Sequence, residues 1–123
     1  NIGLMPDGGA AAMVAAAAGR AVASEMALLG ERMTAEFALR AGIYAGVLAG
    51  DELDAKVEAV VARLAAGPRR ALELTKQTLN AGTLSHLPGI LAREKAGQVE
   101  LLQSADFAEG RAAMLDKRPA RFA

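Results

Sequence analysis

In the stretch 52–66, Leu53, Val57, Val60, Val61 and Leu64 recur at helical spacing, with charged residues filling the positions between them. That stripe predicts the clearest helix of the chain, capped by Asp51 with Asp54 three residues on, and ended by Gly67. Pro68 fits the first position of a following helix that runs to about Asn80, with Leu72, Thr75 and Leu79 along one side and Gly82 breaking it. Upstream, 10–18 is nearly all alanine, the strongest helix former, and Gly19 ends or breaks it. A second short helix over 20–29 places Val22, Met26 and Leu29 at i, i+4 and i+7, and Gly30 closes it. Thr34 is placed to cap a helix over 35–41 that stops at Gly42. Residues 43–48 read as a short strand or an extended connection, and Gly46 weakens the strand.

Towards the C-terminus, Ser85-His86-Leu87-Pro88 opens a helix with Leu87, Ile90 and Leu91 in its first turn and Leu101 and Leu102 near its end. Asp106 is expected to cap a last helix up to about Lys117, interrupted by Gly110, and Pro119 prevents its continuation. The pattern is that of a mostly α chain with one short strand at most.

Composition narrows this picture. At 123 residues the chain is at most one domain. Hydrophobic residues make up 53% of it, but much of that is alanine and only 3% is aromatic, so the core of the chain alone would be thin. Basic and acidic residues number 14 each, which lacks the positive excess of a nucleic-acid binder. The absence of cysteine excludes thiol and disulfide chemistry, and a single histidine, His86, leaves no histidine-based metal cluster. The apolar run 9–19 is too short to span a bilayer and has no basic leader, so the expected setting is soluble and cytoplasmic, with no membrane partner. The first residue is not methionine and the chain starts in mid-element, as a piece of a longer protein would.

One acid stands apart. Asp7 is the only charge among the first 19 residues, in the turn Met5-Pro6-Asp7-Gly8-Gly9 directly before a helix. An isolated carboxyl group in apolar surroundings suits proton transfer. The plainer alternative is a turn whose aspartate caps its own backbone.

Three blocks in this order resemble the crotonase, or enoyl-CoA hydratase/isomerase, superfamily. The first is Ile2-Gly3-Leu4-Met5-Pro6-Asp7-Gly8-Gly9. The second runs from Glu25 through Met26, Leu28, Leu29, Gly30 and Thr34 to Gly42. The third runs from Glu94 and Gln98 through Ser104, Asp106, Glu109 and Gly110 to Asp116-Lys117-Arg118 and Phe122. The resemblance covers almost the whole chain but only the second half of the family's usual length.

It implies the C-terminal helical part of a ββα-spiral fold, with residues 1–50 closing the spiral core and 51–123 forming the helical, oligomer-building region. Family members act on acyl thioesters of coenzyme A. Two backbone N–H groups steady the enolate oxygen, and carboxylates move protons to and from the acyl carbons. Both oxyanion donors and both hydratase glutamates are expected ahead of Asn1, the nearer glutamate four residues before Gly3.

Asp7 matches the aspartate that carries the proton in the phenylacetate-pathway and dienoyl-CoA isomerases. Met26, Leu28 and Leu29 are placed to line the acyl pocket by the resemblance, although helix-stripe packing is the commoner reading of such residues. Lys117 is expected at the phosphates of coenzyme A, or else as a solvated cation at a helix C-terminus. Met114 stands where relatives carry an aromatic residue against the adenine. The alanines 15–18 replace larger residues, so the space near Asp7 is expected to be looser.

No cofactor is implied beyond coenzyme A as part of the substrate, and the implied partners are an acyl-CoA and further copies of the chain as a trimer or dimer of trimers. The alternative is an inactive truncated relic, or a helical assembly module retaining only trimer contacts.

Overall fold

The computed structural model describes residues 2–122. It contains α1 (Ala10–Ser24), continued by a π-helical turn (Glu25–Leu29), then α2 (Ala35–Arg40), α3 (Gly50–Ala65), α4 (Arg69–Thr83), α5 (Leu87–Leu101) and α6 (Ala105–Leu115). Among the described residues there is no strand, so the possible strand over 43–48 is an extended connection. A strand needs a neighbour to complete its ladder, and none is present here.

Several helix ends form as the sequence predicts. Thr34 Oγ1 accepts the N–H of Phe37 at 3.1 Å, capping α2. At the other end, Gly42 N–H reaches Leu39 C=O at 3.1 Å and Ile43 N–H reaches Ala38 C=O at 2.9 Å, the paired bonds of a Schellman motif. Gly30, with φ 66°, closes the π-helical turn.

Other ends differ from expectation. α3 starts at Gly50, so Asp51 lies in its first turn beside Glu52 instead of capping it, where its charge complements the helix dipole. Pro68 is the residue before the first turn of α4, and that helix runs through Gly82 to Thr83. α6 is capped by Ser104, whose Oγ accepts the Phe107 N–H at 3.1 Å, while Asp106 sits inside the first turn. Nor does Gly110 interrupt α6, because its missing side chain serves packing.

α1 and the π-helical turn together form one helical run over Ala10–Leu29, 20 residues long and apolar enough to cross a membrane by length and composition. The expectation of a segment too short to do so is thereby corrected: the helix resumes after Gly19. That residue does break the helical backbone, with φ 81° and ψ 164°.

The chain divides into two compact units, residues 2–32 with 86–122, and Met33–Ser85. In the first, the N-terminal stretch lies against α5 and α6. A Cβ on Gly110 would stand 2.5 Å from the backbone carbon of Ile2, so only glycine allows α6 to approach this closely. The non-exposed residues of α5 are Leu87, Ile90, Glu94, Gly97, Gln98 and Leu101, one stripe facing into this unit. In the second unit every residue of α3 and α4 is exposed, including the whole predicted stripe from Leu53 to Leu64.

Among the described residues the buried apolar ones are small: Ala23, Ala38 and Ala113. Accessible surface amounts to 9633 Å² for a mass of 12.6 kDa. A globular monomer of that mass would expose about 6,200 Å².

Candidate active site

The turn that carries Asp7 is built by glycine. Gly8 and Gly9 have φ of 66° and 83°, and Ala10 N–H bonds Asp7 C=O at 3.2 Å across them. Gly9 occupies the N-cap of α1 without any side-chain cap, so Asp7 does not cap the helix that follows. Its carboxylate is held from elsewhere. Gln98 Nε2 donates to Asp7 Oδ2 at 2.8 Å and to Met5 C=O at 3.0 Å. One turn earlier on α5, Glu94 Oε2 accepts the N–H of Gly9 at 2.8 Å.

Glu94 is only 3% exposed, and its second oxygen, Oε1, has no hydrogen-bond partner among the described residues; Gln98 Oε1 is in the same position. A carboxyl group is buried at this cost only where its remaining bond fixes something. Here it fixes the turn. Met5 to Gly9 is thus gripped by two polar side chains four residues apart on one helix face.

Asp7 lines a cleft of about 380 Å³ together with Leu4, Met5, Met26, Ala27 and Gln98. A smaller apolar hollow of about 100 Å³ shares Pro6 and Met26 with it and is otherwise walled by residues such as Ala10, Val14 and Ala23. Of the predicted site residues, Asp7 and Met26 therefore come together. Leu29, 64% exposed, does not line this cleft, and neither do Met114 and Lys117. Glu94 and Gln98 open the third family-like block, but the sequence alone gives them no role at the site. Their signal was available, since they occupy the inward stripe of α5 where apolar residues are the rule.

The end of α6 forms a second cluster. Arg118 grips Glu109 with two bonds, of 2.7 and 2.9 Å, and Arg121 N–H donates to the same carboxylate at 2.8 Å. These hydrogen bonds, Arg118 first, hold the Glu109 carboxyl down to about 2, and Glu109 in turn raises the Arg118 guanidinium. Just before this pair, Lys117 has φ 52°, a left-handed conformation in a residue with a side chain. It stands at the C′ position of α6, where Lys117 N–H meets Met114 C=O at 3.3 Å and Arg118 N–H meets Ala113 C=O at 3.0 Å.

Known proteins share this arrangement of chain. A solved enoyl-CoA hydratase from Mycobacterium avium subsp. paratuberculosis is 50% identical, with a TM-score of 0.94 over 99% of this chain and 50% of its own. The "Probable enoyl-CoA hydratase" of Rhodobacter capsulatus is 41% identical over 99% of this chain and 48% of its own length. The 1,2-epoxyphenylacetyl-CoA isomerase of Escherichia coli is 35% identical, covering 99% and 47%. The chain thus spans about half the length of the curated relatives it matches, and its helices match half of crotonase-fold structures. The sequence profile of the enoyl-CoA hydratase/isomerase family matches residues 1–123. With turn, helices and terminal cluster all aligned to that profile, the chain belongs to the enoyl-CoA hydratase/isomerase family.

Proposed function

We propose that this chain is the C-terminal half of an enzyme that transfers protons on an acyl-CoA thioester, with Asp7 as the proton carrier. In this reading a C–H bond of the acyl chain breaks, an O–H bond forms on the Asp7 carboxylate, and the freed electron pair moves into the thioester carbonyl as an enolate. The proton then returns to a different carbon. Backbone donors ahead of residue 1 hold the enolate oxygen. Residues 1–50 close the spiral core, and 51–123 supply the helical region.

The observation that carries the reading is the cleft. A carboxylate on a turn, unused for capping, lines it beside the apolar Met26. Lys117 is the proposed partner of the coenzyme A phosphates, with Met114 at the adenine. Support comes from the left-handed backbone at Lys117: glycine would relieve that strain, and lysine stands there instead. The exposed stripe of α3 is proposed to be covered in a homo-oligomer, a trimer or dimer of trimers, or by the rest of the polypeptide.

The test is Asp7→Asn in the polypeptide as its gene encodes it, assayed as the conversion of 3-butenoyl-CoA to crotonyl-CoA. Turnover falls by about 100-fold or more while acyl-CoA binding changes little. Unchanged turnover removes Asp7 from the mechanism.

A further inference from the structure

Gln98 does more than pack. Its Nε2 has two hydrogens, and each has its own acceptor: Met5 C=O at 3.0 Å and Asp7 Oδ2 at 2.8 Å. Turning the amide over would aim its oxygen at a carbonyl and a carboxylate, so the two acceptors fix its orientation. The backbone is fixed by the same group that holds the carboxylate, and the Glu94 bond to Gly9 N–H secures the far end of the turn. Gly97 leaves room for the Met5 side chain, whose Sδ lies 2.5 Å from where a Cβ would sit.

The consequence is an asymmetry within one carboxylate. Oδ2 of Asp7 is occupied by Gln98, and Oδ1 accepts no hydrogen bond among the described residues. A proton arriving from the cleft then has one oxygen on which to land. We infer that Gln98 is a positioning residue for proton transfer, holding Asp7 by Oδ2 so that Oδ1 faces the reacting carbon. This inference rests on the proton-carrier reading of Asp7. Gln98 itself touches no reacting atom; it acts through Asp7. The other ionisable side chain on this face of α5 is Glu94, whose Oε2 is engaged by Gly9.

Two substitutions of Gln98 separate positioning from packing. Gln98→Leu removes both donors and keeps most of the volume. It lowers kcat about 10–100-fold with KM within about twofold, the size of effect that a misplaced catalytic group produces. Gln98→Glu keeps shape and replaces the donor by a titrating group, which donates to Asp7 only while protonated. Its activity relative to the parent therefore falls as pH rises, a dependence that lost packing would not produce.

Both are assayed as the conversion of 3-butenoyl-CoA to crotonyl-CoA in the polypeptide as encoded, beside Asp7→Asn. If Asp7→Asn abolishes turnover while Gln98→Leu acts only through KM, or Gln98→Glu keeps a parental pH profile, the positioning role is overturned and the proton-carrier reading stands. If Asp7→Asn leaves turnover intact, both fall. Should Gln98→Leu not fold, the pH profile of Gln98→Glu decides.

Discussion

α5 and α3 are helices of similar length with opposite fates. α3 carries a clean apolar stripe from Leu53 to Leu64 and buries none of it; α5 carries Glu94 and Gln98 in its stripe and turns that face inward. The stripe of α3 is an apolar face that stays exposed within its own unit. The stripe of α5 is covered, and its two polar residues are the ones that hold the Asp7 turn. Apolar periodicity alone does not locate packing within the chain, whereas the polar interruptions in α5 mark the residues that hold the Asp7 turn.

That contrast is sharpest at glycine. Gly110 of α6 has the Ile2 backbone within 2.5–2.7 Å of where a Cβ would sit, whereas Gly82 of α4 has nothing within 4 Å. Gly110→Ala is expected to destabilise by about 3 kcal/mol, because backbone cannot yield as a side chain does. Gly82→Ala is expected to stabilise by about 0.5–1 kcal/mol through helix propensity alone. Denaturant unfolding of both variants measures the difference, and equal effects would erase the distinction between the packed and the open region.

Lys117→Gly probes the left-handed residue at the end of α6. Relief of backbone strain is expected to stabilise by about 1 kcal/mol. Under the proposed phosphate contact, the same change weakens acyl-CoA binding several-fold. Calorimetric binding beside thermal unfolding reads both, and tighter binding with greater stability would remove Lys117 from the site.

The smallest effect concerns acid. The Glu109 carboxyl is held from its ordinary 4.5 down to about 2, so its contribution to stability is present above 4.5 and is lost as pH falls through about 2. Glu109→Gln is expected to remove that dependence. Thermal unfolding of parent and variant across this window shows it, and parallel curves would contradict it. Because Glu109 and Arg118 are solvent-accessible, the effect is also expected to shrink with salt.

Much of this was legible in the residues. The helix over 52–66, the cap at Thr34, the break at Gly19 and the turn at Asp7 all follow from local chemistry that tertiary packing did not override. The misses have a common cause. Gly82 and Gly110 look alike as breakers in sequence, yet one sits in an exposed helix and the other under a crossing backbone. Asp106 and Asp51 look like caps in sequence, yet Ser104 and Ala49 hold the position, since an acid two residues further on satisfies the dipole equally well. Asp7 stood out as an isolated charge. Its partner, Gln98, lies 91 residues away, and beyond its place in the third block its signal is a polar residue in an apolar stripe.

The central claim is that Asp7 moves protons on an acyl thioester. Its most direct test is the rate at which the polypeptide as encoded exchanges acyl-chain hydrogens of crotonyl-CoA with D₂O, followed by NMR for the parent and for Asp7→Asn. Exchange in the parent that drops by about 100-fold in the variant, with crotonyl-CoA affinity preserved, is the expected result. Equal exchange in both contradicts the claim.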